Sequence, residues 1–79
     1  SITEAPLLMC QSMPKEEQRE CLEEIEMNID ILLNYLENNQ KLKEKAEDVP
    51  ATGMAVLCQQ ITLAQAIKAW IDTLKEELQ

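Results

Sequence analysis

The stretch from Cys21 to Leu36 constrains this chain most, because its apolar side chains recur at the spacing of an amphipathic helix. The row has spacings of three, four, three and four residues and consists of Leu22, Ile25, Ile29, Leu32 and Leu36. Such a row predicts a helix that lies along another helix. A second row, Met27, Ile31 and Tyr35, lies about 140° around the helix axis from the first. Because one neighbour cannot cover both rows, this helix is expected to have more than one.

The composition favours an all-α fold. One Gly and three Pro leave little material for β-hairpin turns, and Tyr35 and Trp70 are the only aromatic residues. The core must then be built from aliphatic side chains and Met, which suits helix-on-helix packing. With 79 residues the chain is expected to form a single helical domain, residues 1–79, near the lower size limit for a self-sufficient core.

The first helix is predicted to span residues 14–47, because the chain contains no Gly or Pro between Pro14 and Pro50. Ser12 or Met13 is expected to cap it, with the proline in its first turn. Residues 48–53 form the predicted turn, since proline opposes continuation of a helix.

Residues 1–13 are apolar but contain Pro6, and two interpretations are open for them. Thr3 could cap a short helix, or the segment could be an extended arm that lies over an apolar surface.

The second helix is predicted to begin at residue 52 or 54 and to end at residue 78, with Asp48 or Thr52 available as its cap. Its apolar stripe consists of Met54, Leu57, Ile61, Ala64, Ile67, Ile71, Leu74 and Leu78. A row at intervals of seven, Val56, Leu63 and Trp70, widens the stripe to about 200° of the circumference. The exposed strip is then narrow and contains Gln65, Lys68, Ala69 and Asp72. Since the turn is short, the two helices are predicted to form an antiparallel hairpin.

The formal net charge is −8, and half of that excess lies between Lys15 and Glu26. Nucleic-acid binding requires a basic face, and anionic membranes disfavour an acidic chain. No stretch approaches the roughly 18 apolar residues of a membrane span, and the first residues lack the basic region of a signal peptide. These observations predict a cytoplasmic protein that binds protein, with no nucleic-acid or membrane partner.

The three cysteines, Cys10, Cys21 and Cys58, form an odd set without CxxC spacing. They are predicted to be free and mostly buried thiols in a reducing compartment. A disulfide between two of them, or a redox or metal role, is the alternative.

No catalytic, cofactor-binding or metal-binding residue is predicted. The chain has no His, and its single glycine cannot form a phosphate-binding loop. Glu20 and Glu23 could supply the ExxE half of a Mg²⁺ site, as in all-α nucleotide phosphohydrolases. Asp72 and the Glu76–Glu77 pair lack the spacing of the second half. A solvated acidic helix face is therefore the favoured interpretation.

The second rows of the two helices are predicted to bind a partner. They consist of Met27, Ile31, Tyr35, Val56, Leu63 and Trp70. A lone hairpin cannot bury the full apolar circumference of both helices, so without cover these side chains would form a sizeable apolar patch. Another chain is the favoured cover, and residues 1–13 folding back are the alternative.

The layout resembles small helical-hairpin co-chaperones of type III secretion needle subunits. The matching stretches cover most of residues 15–78 and are CLEEIEMNIDILLNYLENNQKL, the turn EDVPAT, and MAVLCQQITLAQAIKAWIDTL. The resemblance implies a protein that pairs with a second chaperone and keeps the needle subunit monomeric. Because it is a resemblance of layout, it assigns no functional residue.

The sequence therefore predicts a non-enzymatic module for protein–protein interaction, without cofactors and completed into a bundle by a partner chain. It would serve as a small acidic adaptor, regulator or secretion-type chaperone that offers its apolar faces to partner helices. The alternatives are a homodimeric four-helix bundle and the Mg²⁺-dependent phosphohydrolase.

Overall fold

The computed structural model describes residues 13–79, which form two α-helices and the turn between them. Helix α1 spans Lys15–Lys45 and helix α2 spans Ala51–Glu77. The predicted helical hairpin is confirmed, with helix ends that differ from the predicted ones by one to three residues. The short helix or arm predicted for residues 1–13 lies outside the described residues, apart from Met13.

Each helix begins directly after a proline. Pro14 and Pro50 are the N-cap residues, with φ of −56° and −61° and extended ψ of 154° and 145°. Their carbonyl oxygens accept the first helical hydrogen bonds, from Gln18 N–H at 2.9 Å and from Met54 N–H at 3.2 Å. A proline suits this place because its fixed φ is compatible with the start of a helix.

The predicted side-chain caps are wrong. Neither helix start has a capping hydrogen bond from a side chain. This holds for Met13, expected at the cap of α1, and for Asp48 and Thr52, considered available to cap α2, whereas Ser12, the other candidate at α1, lies outside the described residues. Because a proline occupies the N-cap position in both helices, the N-cap residue itself has no side-chain oxygen to accept from the N–H groups of the first turn. At α1 the side chain of Gln18 instead donates from Nε2 to the carbonyl oxygen of Met13 at 2.6 Å.

The two helices are antiparallel. Arg19, near the start of α1, donates from Nη2 to the carbonyl oxygen of Leu78 at 3.0 Å, just after α2 ends. Gln40, near the end of α1, contacts Cys58, near the start of α2. The molecule is consequently a rod of 52 × 18 × 15 Å.

The core is the seam between α1 and α2. Its buried side chains are Leu22, Leu33, Leu36, Leu57, Ile61, Ala64 and Ile71. The predicted row on α1 needs one correction, because Leu33 is 7% exposed and Leu32 is 44% exposed. Positions 32 and 33 lie on opposite sides of the line through Leu22, Ile29 and Leu36, and the side of Leu33, which also carries Glu26, is the one that packs against α2. The predicted stripe of α2 is confirmed, since all its members are buried or half-buried.

Polar residues also occupy positions of this repeat. In α1 the positions with alternating spacings of four and three are Leu22, Glu26, Ile29, Leu33, Leu36 and Gln40. In α2 and its C-cap residue they are Leu57, Ile61, Ala64, Lys68, Ile71, Lys75 and Leu78. Every one of them is buried or half-buried. Near the turn the seam is therefore largely apolar, and towards the termini charged side chains alternate with aliphatic ones.

Candidate protein-interaction surface

Polar contacts between the helices line one side of the seam, which we call the polar edge. Nζ of Lys68 lies 2.6 Å from Oδ1 of Asp30. Nε2 of Gln40 donates to Sγ of Cys58 at 3.3 Å. Asp30 and Gln40 on α1 and Cys58 and Lys68 on α2 thus lie on the same side of the hairpin. The residues on the opposite side of each helix must then share the other edge.

Two ion pairs join the helices at about the middle of the hairpin and near its terminal end. The hydrogen bond to Asp30 and its negative charge raise the pKa of Lys68 above the ordinary 10.5. This pair therefore contributes to stability below that pH, and the contribution is lost as the pH rises through the raised pKa. The second pair joins Nζ of Lys75 to Oε1 of Glu26 at 3.3 Å, and these side chains are 27% and 21% exposed. Oε2 of Glu26 is buried and has no hydrogen-bond partner among residues 13–79.

The edge opposite the polar edge carries exposed apolar side chains from both helices, and we call it the apolar face. It consists of Leu32, Tyr35 and Leu42 on α1 and of Val56, Leu63 and Trp70 on α2. Each of these side chains is at least 44% exposed. The half-buried Ile25, Ile67 and Leu74 lie between the two exposed rows, where the helices meet. They form the bottom of the shallow groove between the rows.

The two rows of the apolar face lie level with each other. In the register set by the Gln40–Cys58 contact, Tyr35 lies opposite Leu63 and Leu42 lies opposite Val56. Along α2 the row continues to Trp70, about 21 Å from Val56 at 1.5 Å per residue. The face is thus a strip of exposed apolar side chains from both helices, interrupted by the exposed Asn28 opposite Trp70 and by Gln60 beside the seam. Exposed apolar strips mark interaction surfaces in soluble proteins.

The first part of α2 carries no charge. Residues 51–67 contain no Asp, Glu, Lys or Arg, although eleven of these seventeen residues are exposed. Depletion of charged residues from an exposed surface is typical of the centre of a protein interface.

Neither described helix has an apolar run of the length that a membrane crossing requires.

The predicted narrow exposed strip of α2 is wrong in extent. Gln65, Ala69 and Asp72 are exposed as predicted, but Lys68 is half-buried at the polar edge. Within the described residues only α1 packs against α2, so most of the outward surface of α2 is open.

All six residues predicted to bind a partner are exposed, by 44% to 66%. Tyr35, Val56, Leu63 and Trp70 belong to the apolar face. Ile31 lies at the outer border of the face on α1, and Met27 lies further around α1, away from the face. The separation arises because a four-residue repeat advances about 40° around a helix at each step. Leu32 and Leu42 belong to the face but were not among the predicted residues.

Two of the three cysteines lie in the described part of the chain. Cys21 and Cys58 are both free thiols. Cys21 is half-buried, with Sγ 3.9 Å from Sδ of Met13. Cys58 is exposed, so the prediction of mostly buried thiols is wrong for it. It lies at the polar edge, just outside the seam. Cys10 lies outside the described residues.

The acidic residues at the start of α1 point outward. Glu16, Glu17, Glu20, Glu23 and Glu24 are exposed, and none of them forms an ion pair with another described residue. Within residues 13–79 no three His, Cys, Asp or Glu side chains form a group that could hold a metal ion.

Comparison with protein-family models, with curated proteins and with solved structures finds no match to this chain. The two edges of the hairpin are therefore the features that bear on its function.

Proposed function

We propose that this chain is a non-enzymatic protein-binding module that receives helices of a partner on its apolar face. One observation carries the proposal: both helices expose apolar side chains along one edge, whereas the other edge is occupied by contacts within the chain. An apolar groove between two helices is the ordinary receptor for an amphipathic helix.

The chemistry of the face supports binding rather than catalysis. Its side chains offer burial of apolar area, worth about 25 cal/mol per Å² removed from water. Tyr35 and Trp70, 66% and 44% exposed, are of the residue types that dominate binding energy at interfaces. A helix that covers the face would enclose both rings and the aliphatic side chains between them.

In a cell, such a module would act as a small acidic adaptor, regulator or secretion-type chaperone, and we place it in the cytoplasm. The resemblance in layout to needle-subunit co-chaperones favours the chaperone version. A second copy of the chain, which would form a four-helix bundle, is the other occupant that the same face could receive.

The test is position-resolved crosslinking in the native host. Trp70 is replaced by a photoreactive aromatic residue, and in a matched variant Gln65, exposed near the polar edge, is replaced by the same residue. The proposal expects one dominant adduct, with another protein or with a second copy, from position 70 and none from position 65. Equal labelling from both positions, or no adduct from position 70, would contradict it.

A further inference from the structure

We infer that the occupant of the apolar face is a second copy of this chain, packed face to face with the first and with its turn beside the termini of the first. A twofold axis across the rods relates the two copies, so that α1 packs on α1 and α2 packs on α2. The inference rests on the proposed function and specifies the partner.

The first step concerns the charge of the apolar face along its whole length. On α1 the residues of this side recur at intervals of seven and are Gln18, Ile25, Leu32 and Asn39, and Cys21, Asn28, Tyr35 and Leu42. On α2 they are Gln60, Ile67 and Leu74, and Val56, Leu63, Trp70 and Glu77. Glu77, at the terminal tip, is the only charged residue among these positions. An identical face therefore meets almost no like charge on it and buries apolar area in return.

The second step concerns the fit of the face to itself. A twofold axis at the level of Leu32 brings this side chain against the same residue of the second copy. The Gln40–Cys58 contact sets the register of the two helices, and in this register Ile67 lies level with Leu32 to within one residue. The same axis therefore also brings Ile67 against its copy, and both helix pairs are aligned at once.

The outer rows of the face are covered by unlike residues. The axis passes midway between Leu63 and Trp70 on α2 and midway between Asn28 and Tyr35 on α1. Trp70 of each copy then lies against Leu63 of the other, and Tyr35 lies against Asn28. The two aromatic rings, both exposed in a single hairpin, thus gain cover from the second copy.

The third step concerns which ends of the rods lie together. The terminal half, residues 13–29 and 69–79, contains nine acidic and three basic residues, so that its formal charge is −6. The turn half, residues 30–68, contains five acidic and four basic residues, so that its formal charge is −1. A dimer with like ends together would place the two strongly acidic halves side by side. The opposite orientation separates them, and charge therefore selects it.

The border of the face on α1 shows the same preference residue by residue. Glu17, Glu24, Ile31, Asn38 and Lys45 follow this border at intervals of seven. The axis places the glutamate at one end of this line level with the lysine at the other end of the line in the second copy. Two such pairs form in each dimer. Because they are exposed, they act on orientation more than on affinity.

The area of contact is sufficient for a reversible dimer. An axis at this level lies close to the middle of the rod, so that two rods of 52 × 18 Å overlap along almost their full length. The projected area is on the order of 900 Å² per copy, and a standard interface buries about 800 Å² per partner. The acidic charge and the partly covered amides of Asn39 and Gln60 lower the affinity, and we expect a Kd of about 10 μM. Unfolding measured well below this concentration reports on the single hairpin.

The first experiment is sedimentation equilibrium of the full chain, which should show a monomer–dimer equilibrium. Trp70 is the only tryptophan, and its emission should shift to shorter wavelength at the same concentration at which the dimer forms. Leu32→Lys places two like charges at the twofold axis and should raise the Kd by more than about 30-fold. Asn34→Lys adds the same charge on the far side of α1 and should change the Kd by less than about twofold.

The second experiment tests the orientation. Glu17→Cys and Lys45→Cys are made separately in a background in which the three native cysteines are replaced by Ala. A short bismaleimide should crosslink the mixed variants between position 17 and position 45, and each variant alone should give little crosslinked dimer. Crosslinks that join mainly like positions, or a dimer that is unaffected by Leu32→Lys, would overturn the inference.

Failure of the inference can be told apart from failure of the proposed function. A chain that remains monomeric but gives an adduct with a different protein from position 70 in the native host would overturn the second copy and retain the protein-binding face. A monomer that dimerises only after residues 1–12 are removed would make that segment the occupant and overturn the inference. A monomer that gives no adduct from position 70 would overturn both.

Discussion

The polar edge and the apolar face flank the same seam, but their side chains have different partners. Along the polar edge, Asp30 and Gln40 on α1 contact Lys68 and Cys58 on α2. Along the apolar face, side chains of the two helices lie level with each other and remain exposed, as Tyr35 and Leu63 do by 66% and 56%. The difference separates two tasks: contacts at the seam and the polar edge stabilise the hairpin, whereas the apolar face is available for binding.

The largest effect on stability is expected in the seam, on which both edges depend. Ile71 is 0% exposed, and Ile71→Ala would remove buried aliphatic groups and leave a cavity. The expected loss in the free energy of unfolding is about 2–4 kcal/mol, a large share of the stability of a small domain. Urea unfolding followed by circular dichroism measures this loss. Ile31→Ala is the matched control, because Ile31 is 62% exposed and its loss should cost less than about 0.5 kcal/mol. Equal costs for the two variants would contradict the assignment of the seam.

A smaller effect is expected at the Glu26–Lys75 pair, which belongs to the seam rather than to the exposed surface. Lys75→Ala would leave the carboxylate of Glu26 largely buried and unpaired, at a cost of about 1–2 kcal/mol. The double variant Glu26→Leu and Lys75→Leu should recover this loss, because it continues the aliphatic repeat of both helices. Thermal unfolding of the single and double variants makes the comparison. A double variant that is less stable than Lys75→Ala would show that the pair itself holds the helices together.

The smallest effect on stability is expected on the apolar face. Leu63 is 56% exposed, so Leu63→Lys should change the free energy of unfolding by less than about 0.5 kcal/mol. The same urea titration tests it, with Gln65→Lys as the variant that adds an equal charge on the other side of α2. A loss of more than about 1.5 kcal/mol would mean that Leu63 supports the fold, and the contrast between the two edges would fail.

Much of the fold could be predicted from local sequence. The three-and-four spacing of Leu22, Ile25 and Ile29 predicts the first helix, and Pro50 predicts where that helix must end. Together they predict an antiparallel pair of helices. Because Glu26 is polar, the predicted row took Ile25 in its place and continued to Leu32 rather than to Leu33. Both rows share Leu22, Ile29 and Leu36 at intervals of seven, so the choice between them is made by packing against α2, where Glu26 and Leu33 lie.

The candidate surface was harder to predict than the fold. That Tyr35, Val56, Leu63 and Trp70 are exposed follows from the width of each apolar stripe. That they share one edge depends on the register of α1 against α2 and on the direction in which each stripe faces. Both depend on contacts between residues far apart in the chain, such as Lys68 with Asp30. Periodicity within one helix carries no information on them.

The rod shape affects how a complex would scatter X-rays. The radius of gyration of 15.6 Å exceeds the roughly 12 Å of a compact domain of this length, because the molecule is 52 Å long and only 18 × 15 Å in cross-section. A helix added along the apolar face would raise the scattering mass and thicken the cross-section, with almost no change in the maximum dimension. Attachment at either tip would lengthen the particle. Scattering mass and maximum dimension, taken from one curve, therefore distinguish a partner that lies alongside the hairpin from one that extends it.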